Sequence, residues 1–142
     1  MISAVLDTNV LVSGALTSSS IPGQILNAWR ENEFELIISE YIIYELERVF
    51  QKAYFQKHLT SHEIKSFFDL LQNEAIYTPI IINVNGVATH PEDDLMLAAA
   101  VSAKADYFVT GDQPLLQKVG NLYKKVNLVT PKEFLQILEQ QN

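Results

Sequence analysis

Residues 2–9 read Ile-Ser-Ala-Val-Leu-Asp-Thr-Asn, an apolar run that is interrupted by a carboxylate. The run is too short for a helix and ends at a polar trio that begins with Asp7, so it indicates a buried strand. Residues 106–112, Asp-Tyr-Phe-Val-Thr-Gly-Asp, repeat this arrangement, with an apolar centre that leads into Thr110 and Asp112. Strands of this kind, without polar alternation, are typical of a parallel sheet that is covered on both faces.

The rest of the chain alternates between short apolar runs and segments with helical periodicity. Further strands are predicted at residues 34–38, 80–84 and 126–129. Helices are predicted at residues 10–16, 24–32, 39–50, 60–71, 92–104 and 131–140. The last helix begins with a capping-box sequence, Thr-Pro-Lys-Glu, at residues 130–133. The alternation predicts an α/β fold: a three-layer α/β/α sandwich around a mainly parallel sheet of about five strands, formed as a single domain by residues 1–142.

The composition is that of a globular protein with a sizeable core, because 48% of the 142 residues are hydrophobic and 19% are charged. Cysteine is absent, which excludes disulfide bonds and thiolate zinc sites. Any metal ion must therefore bind oxygen ligands or the three histidines, which we expect at the surface. The first apolar run has no basic leader, and no stretch approaches the roughly 20 apolar residues that span a bilayer. We expect a cytoplasmic protein with no membrane insertion.

The net charge is −7, from 10 basic and 17 acidic residues. This balance argues against nonspecific binding of nucleic acid through a basic surface. The objection weakens if four acids share one metal site, because a bound cation then leaves about −3 on the rest of the surface. A polyanion would still have to be held by local basic groups rather than by the overall charge.

Two carboxylates, Asp7 and Asp112, directly follow predicted strands. Ligands of parallel α/β sheets bind beyond the carboxyl ends of the strands, so both side chains are placed for a shared site. The alternative is that each aspartate is the N-cap of the helix that follows it, and Thr8 or Asn9 can cap as well. Thr110 is either a simple loop hydroxyl or a group that holds a carboxylate or a metal-bound water.

Acids on predicted helices supply the other candidates, and at both places periodicity leaves two residues equal. Glu45 and Glu47 both have apolar neighbours at helical spacing. A buried carboxylate is unfavourable alone, so such a glutamate reaches the surface, pairs with a cation such as Arg48, or binds metal. Asp93 and Asp94 begin a helix that is apolar all round, where stabilisation of the helix dipole already explains one or two acids.

A deliberate cluster of carboxylates indicates a bound cation. Carboxylates within a few ångströms of one another raise each other's pKa values unless a divalent ion compensates. Oxygen ligands favour Mg²⁺ or Mn²⁺, and such ions activate water and neutralise the charge that develops on a phosphodiester under attack. The residues therefore indicate a metal-dependent hydrolase of nucleic acid.

Four segments, in order along the chain, form one recognisable pattern. They are Val5-Leu6-Asp7-Thr8-Asn9-Val10-Leu11, Ser39-Glu40 with Glu45-Leu46, Pro91-Glu92-Asp93-Asp94 before Leu97-Ala98-Ala99-Ala100, and Asp106-Tyr107-Phe108-Val109-Thr110-Gly111-Asp112. Together they resemble the PIN-domain family, in particular the VapC-like toxin ribonucleases of prokaryotic toxin–antitoxin modules. Each segment alone is a weak signal, whereas the ordered set is specific and runs nearly from end to end.

The resemblance implies a set of acidic metal ligands. It selects Glu45 rather than Glu47, and Asp94 rather than Asp93. The implied catalytic and metal-binding residues are Asp7, Glu45, Asp94 and Asp112. Supporting roles fall to Thr8, Asn9, Asp93 and Thr110. The resemblance also implies Mg²⁺- or Mn²⁺-dependent cleavage of single-stranded RNA, a homodimer, and inhibition by a small antitoxin protein. His90 departs from the pattern, because similar sequences often carry aspartate there.

Two other functions are compatible with an α/β chain that has an aspartate after its first strand. One is a phosphotransfer domain of receiver or phosphatase type. A haloacid-dehalogenase-like phosphatase needs a second aspartate where this chain has Asn9, and a receiver does not draw acids from helix interiors such as Glu45. The other is a non-catalytic binding module with the same fold, in which the acids are structural.

Overall fold

The computed structural model, which describes residues 1–141, alternates strands and helices along the chain. The strands are β1 Ser3–Leu6, β2 Glu35–Ile38, β3 Ile76–Tyr77, β4 Tyr107–Val109, β5 Leu122–Tyr123 and β6 Val126–Val129. The helices are α1 Thr8–Leu16, α2 Ile21–Arg30, α3 Glu40–Phe50, α4 Ala53–His58, α5 Ser61–Glu74, α6 Pro91–Ser102, α7 Gln113–Val119 and α8 Pro131–Gln140.

The strands form one sheet in the order β3-β2-β1-β4-β6-β5. Neighbouring strands are parallel except β5 and β6, which form an antiparallel hairpin. Ala4, Val5 and Leu6 of β1 have no exposed surface, and since successive side chains point to opposite faces, helices cover both faces of the sheet. The predicted three-layer fold is confirmed, with six strands rather than about five.

The chain reverses its direction of travel across the sheet between β1 and β4, which lie side by side at the centre. From β1 the chain moves outward to β2 and β3, and from β4 it moves outward on the other side to β6. A crevice opens at such a reversal, outside the carboxyl ends of the two central strands. Asp7 follows β1 and Thr110 follows β4, so the topology brings both residues to this crevice.

Helix α6 carries its first turn to the same edge of the sheet. It connects the parallel strands β3 and β4, so it runs antiparallel to them and begins near their carboxyl ends. Its second half is buried from Met96 to Val101 and contacts both β1 and β4. Within residues 1–141, no helix has the length and apolar character that crossing a membrane requires.

The strand predicted at residues 80–84 is not formed. Helix α5 continues further than predicted, and β3 follows it at once. The apolar run is held instead by the end of α6, because the backbone N–H groups of Ile81 and Ile82 both donate to Ser102 Oγ at 3.0 Å. The β-branched composition of residues 80–84 does not predict a strand correctly here, because β3 is the strand that pairs with β2 at this end of the sheet.

Four short elements, β3, α4, α7 and β5, have no counterpart among the predictions. They contain two, six, seven and two residues. No residue of α4 is buried, and α7 buries Leu115 alone. Hydrophobic periodicity carries no signal for elements that lack an apolar stripe, so their absence from the predictions has a physical cause.

The turn of the β5–β6 hairpin holds two lysines in a left-handed backbone conformation, Lys124 at φ 46° and Lys125 at φ 70°. A two-residue turn of this type favours Asn-Gly, because asparagine and glycine adopt positive φ more readily than lysine. We expect the double substitution Lys124→Asn, Lys125→Gly to raise the free energy of unfolding by about 1 kcal/mol in urea denaturation. The control Lys65→Gly, inside α5, should lower it by about 1 kcal/mol. Destabilisation by the turn variant would show that the two lysines are not strained.

Candidate active site

Strands β1 and β4 bring Asp7 and Thr110 into contact at the carboxyl edge of the sheet. Leu6 is paired with Val109, and the Asp7 backbone N–H donates to the Val109 carbonyl at 2.9 Å. The Thr110 hydroxyl donates to Asp7 Oδ2 at 2.8 Å, and Thr110 has no exposed surface. Thr110 is therefore more than a loop hydroxyl, because it fixes the orientation of the Asp7 carboxylate.

Asp112 follows Gly111 and turns back toward the same threonine. Its backbone N–H donates to Thr110 Oγ1 at 3.1 Å, and its Oδ1 accepts the N–H of Leu115 at 3.2 Å. The second bond caps α7, so the capping role considered for these aspartates holds for Asp112. Asp7 differs, because its side chain makes no cap hydrogen bond of ordinary geometry to α1, although the nearby N–H groups of Thr8 and Asn9 oppose the rise in its pKa that burial causes. Its carboxylate is available for another purpose.

One face of α3 forms a wall of the crevice. A groove of about 200 Å³ opens there, and Asp7 and Asp93 both line it. We call it the acidic groove. Helix α3 and the segment after it contribute five side chains at helical spacing to its lining: Tyr41, Glu45, Arg48, Val49 and Lys52.

Glu45 is the glutamate of α3 that enters the acidic groove. Its side chain is 14% exposed and accepts a hydrogen bond from Arg48 Nη2 at 2.9 Å. The Tyr41 phenol lies beside it; burial, and then the charge of Glu45, raise the pKa of that phenol. Glu47, which periodicity could not separate from Glu45, is exposed and does not line the groove. The structure thus places Glu45 at the site together with a paired cation.

The structure places Asp93 and Asp94 in different surroundings. Asp94 is buried away from the acidic groove, where its Oδ2 accepts the N–H of Gly86 at 2.9 Å. Its Oδ1 accepts the N–H groups of Val87 and Ala88 at 3.2 and 2.8 Å. Asp93 lines the groove instead. Adjacent residues on a helix differ in direction by about 100°, so only one of the two aspartates can face the site.

Asp94 clamps the loop that precedes α6. Three backbone N–H groups satisfy its carboxylate without a cation, and Lys118 Nζ holds the same loop by donating to the Ala88 carbonyl at 2.8 Å. The clamp fixes the first turn of α6 and, with it, the position of Asp93. In the structure, Asp94 therefore stabilises this loop.

The aspartates of the crevice repel one another. Burial, followed by the negative charges of Asp7 and Asp112, raises the pKa of Asp93 from 3.8 to about 6. Burial also raises the pKa of Asp7 against the lowering effect of the Thr110 hydrogen bond, and the charge of Asp112 raises it further. Among residues 1–141, Asp93 Oδ2 is buried and finds no hydrogen-bond partner. Such an oxygen is free to accept a further ligand.

These features fit a hard divalent cation. Mg²⁺ and Mn²⁺ prefer carboxylate oxygens, and a cation offsets the repulsion between the aspartates. In the described part of the chain, no three acidic or histidine side chains converge closely enough to form a ready coordination set. Glu45 meets Arg48 through Oε2 and Asp112 caps α7 through Oδ1, so each carboxylate can offer its other oxygen to a cation without losing that contact.

The remaining predicted groups fall into two classes. Thr8 and Asn9 line the acidic groove, in keeping with a supporting position, and the three histidines are exposed as predicted. Sequence reasoning missed Tyr41, Lys52 and Glu92, which also line the groove. A search at helical spacing from Glu45 would have found the first two, and adjacency to Asp93 would have suggested the third.

The clamp predicts a large difference between two neighbouring substitutions. Asp94→Ala removes the acceptor of three backbone N–H groups, so we expect it to lower the free energy of unfolding by at least about 2 kcal/mol in urea denaturation. Asp93→Ala is the matched control and should cause no such loss, because it removes a carboxylate that is repelled by its neighbours. Equal losses for the two variants would refute the clamp.

The raised pKa of Asp93 predicts a pH-dependent stability. The contribution of this group is complete below its ordinary pKa of 3.8 and is lost as the pH rises through about 6. In EDTA at pH 7.5, Asp93→Asn should therefore melt roughly 2–4 °C above the wild type, after allowance for the partial exposure of the site. At pH 4 the two curves should coincide. Asp69→Asn, at an exposed ion pair, should show no comparable gain, and a lower Tm for Asp93→Asn at pH 7.5 would contradict the repulsion.

Comparison with known proteins agrees with this fold. The PIN domain model matches residues 3–114. The chain is 29% identical over 146 residues to the uncharacterized protein MJ1680 of Methanocaldococcus jannaschii, in an alignment that covers 98% of this chain and 93% of that protein. The fold of the present chain is similar to that of a chain in the crystal structure of VapBC2 from Rickettsia felis bound to a DNA fragment from their promoter. The TM-score is 0.62 and the sequence identity 15%, and the match covers 91% of this chain and 98% of that chain. The protein belongs to the PIN domain family.

Proposed function

We propose that the protein is a metal-dependent endoribonuclease that hydrolyses phosphodiester bonds of single-stranded RNA. The observation that carries the proposal is the set of mutually repelling aspartates at the crevice, one of which has a buried oxygen without a partner. A site arranged only for stability would avoid this repulsion or neutralise it with basic groups. Membership in the PIN domain family supports a nuclease at the coarser level.

The proposed ligands of Mg²⁺ or Mn²⁺ are Asp7, Glu45, Asp93 and Asp112. Asp93 takes the ligand role that the resemblance implied for Asp94. When bound, the ion supplies activation of water and neutralises the charge that develops on the phosphodiester. Thr110 keeps the Asp7 carboxylate in one orientation. Tyr41 and Arg48 keep the Glu45 carboxylate at the wall of the groove, and Lys52 supplies a positive charge beside it.

The identity of the substrate and of the partners follows from the resemblance rather than from the groove. RNA is proposed because the ordered motifs resemble toxin ribonucleases. We propose further that the chain is the toxin of a toxin–antitoxin pair, forms a homodimer and is inhibited by a small antitoxin protein. The fold similarity to a chain of the VapBC2 assembly agrees with this proposal.

We expect purified protein to cleave a labelled single-stranded RNA with Mn²⁺ or Mg²⁺ and to leave it intact in EDTA. Asp7→Asn and Asp93→Asn should each reduce the cleavage rate by about 100-fold or more, because each removes a charged ligand from the ion. The measurement is the initial rate on a denaturing gel. Mn²⁺ should also raise the Tm of the wild type, as a ligand of the folded state must, and less so in Asp93→Asn.

Two matched controls separate the groove from its surroundings. Glu45→Gln should slow cleavage, whereas Glu47→Gln, on the exposed side of the same helix, should not. Asp94→Asn, which keeps one acceptor oxygen for the loop, should retain more activity than Asp93→Asn. The reverse order at positions 93 and 94, or cleavage that survives in EDTA, would refute the proposed ligand set.

A further inference from the structure

A second groove adjoins the acidic groove and is lined by aromatic rings. This tyrosine cleft has a volume of about 550 Å³ and is lined chiefly by Tyr41, Tyr44, Tyr77, Pro79, Ile80 and Leu95. The size lies within the range of small-ligand sites, roughly 300–1,000 Å³. Tyr41 lines both grooves, so a single ring separates the tyrosine cleft from the carboxylates.

The apolar lining of the tyrosine cleft is open to solvent. Tyr44 and Tyr77 are 61% and 57% exposed, and Leu95 is 39% exposed. They come from three separate elements, namely α3, the edge strand β3 and the first turn of α6. The fold therefore assembles large apolar groups at one place without burying them. Contiguous exposed apolar groups of this kind mark a binding surface.

The charges around the two grooves exclude ionic contacts with phosphate groups as the main source of affinity for a single-stranded nucleic acid. Among the described residues that line the tyrosine cleft, Glu40 is the one charged side chain. The basic residues of the acidic groove are Arg48 and Lys52, and Arg48 is already paired with Glu45. The whole chain carries −7. A bound single strand thus needs a contribution that is independent of charge, and stacking of bases on aromatic rings provides one.

We propose that the tyrosine cleft binds an unpaired base of the substrate, on a nucleotide next to the phosphate that enters the acidic groove. The proposal rests on the proposed function, because it takes the acidic groove as the place of cleavage. Tyr44 and Tyr77 offer the ring faces on which the base stacks, and Ile80 and Leu95 complete the apolar surface. Bases of a duplex are already stacked in the helix, so the cleft favours single strands.

The test measures binding rather than cleavage, with a fluorescent single-stranded oligoribonucleotide in EDTA. By fluorescence anisotropy, Tyr44→Ala and Tyr77→Ala should each raise Kd by roughly fivefold to 150-fold, the loss expected for one stacked base. Tyr44→Phe and Tyr77→Phe keep the rings and should bind like the wild type. Tyr54→Ala is the matched control, because Tyr54 is also 57% exposed but lines neither groove.

Two further measurements identify the occupant as a base. In a series of oligonucleotides that each lack one base, the strand without the base at one particular position should bind the wild type more weakly than the intact strand does. Tyr77→Ala should bind that strand and the intact strand with the same affinity. The slope of log K against log salt should be no steeper than about −1.4, because two basic side chains at most release counterions from a single strand. The duplex of the same sequence should bind more weakly than the single strand.

Unchanged affinity in both alanine variants, or an equal loss in Tyr54→Ala, would overturn the tyrosine cleft as a base site. A change of oligomeric state in Tyr77→Ala, seen by light scattering while RNA affinity is unchanged, would overturn it by assigning the surface to a second copy of the chain. Tyrosine-dependent binding without metal-dependent cleavage would refute the nuclease and keep the base site. Cleavage with tyrosine-independent binding would do the opposite.

Discussion

The register that pairs Leu6 with Val109 in the middle of the sheet sets the position of the acids in the crevice. It places Asp7 beside Thr110, and the hydroxyl of Thr110 then fixes one carboxylate and the backbone of Asp112. Because β1 and β4 are also the strands at which the chain reverses across the sheet, the connections that leave their carboxyl ends diverge, and a crevice opens between them. A shift of one residue in this register would turn Asp7 to another face of the sheet.

Two neighbouring aspartates show how differently the fold treats the same chemical group. Asp94 has three backbone N–H donors, whereas Asp93 has one oxygen without a partner among residues 1–141 and two like charges nearby. Asp94 stabilises the loop before α6, and Asp93 is held at the crevice although the carboxylates of Asp7 and Asp112 repel it. The satisfied carboxylate holds the helix turn that positions the unsatisfied one, so stability at position 94 offsets strain at position 93.

The features that local chemistry determines were predictable from the sequence. Apolar runs, the capping box at Thr130, and the polar residues after β1 and β4 gave the layered fold and the positions of Asp7 and Asp112. Which of the two aspartates, Asp93 or Asp94, lines the acidic groove was not predictable from the sequence. It depends on backbone amides of the loop at residues 86–88, and hydrophobic periodicity does not predict the path of a loop. The prediction of a strand at residues 80–84 was wrong for a related reason: the N–H groups of Ile81 and Ile82 bind Ser102 Oγ at the end of α6, a tertiary contact that no local pattern describes.

The ion pair between Arg48 and Glu45 gives the acidic groove an internal counter-ion. The guanidinium contacts Glu45 Oε2, so a metal ion that takes Oε1 as a ligand would share the carboxylate with Arg48, whereas one that takes Oε2 would displace the arginine. In the first case two positive charges would meet at one carboxylate, and in the second the released arginine would remain in the lining of the groove. In both cases metal occupancy would make the groove less repulsive to a polyanion.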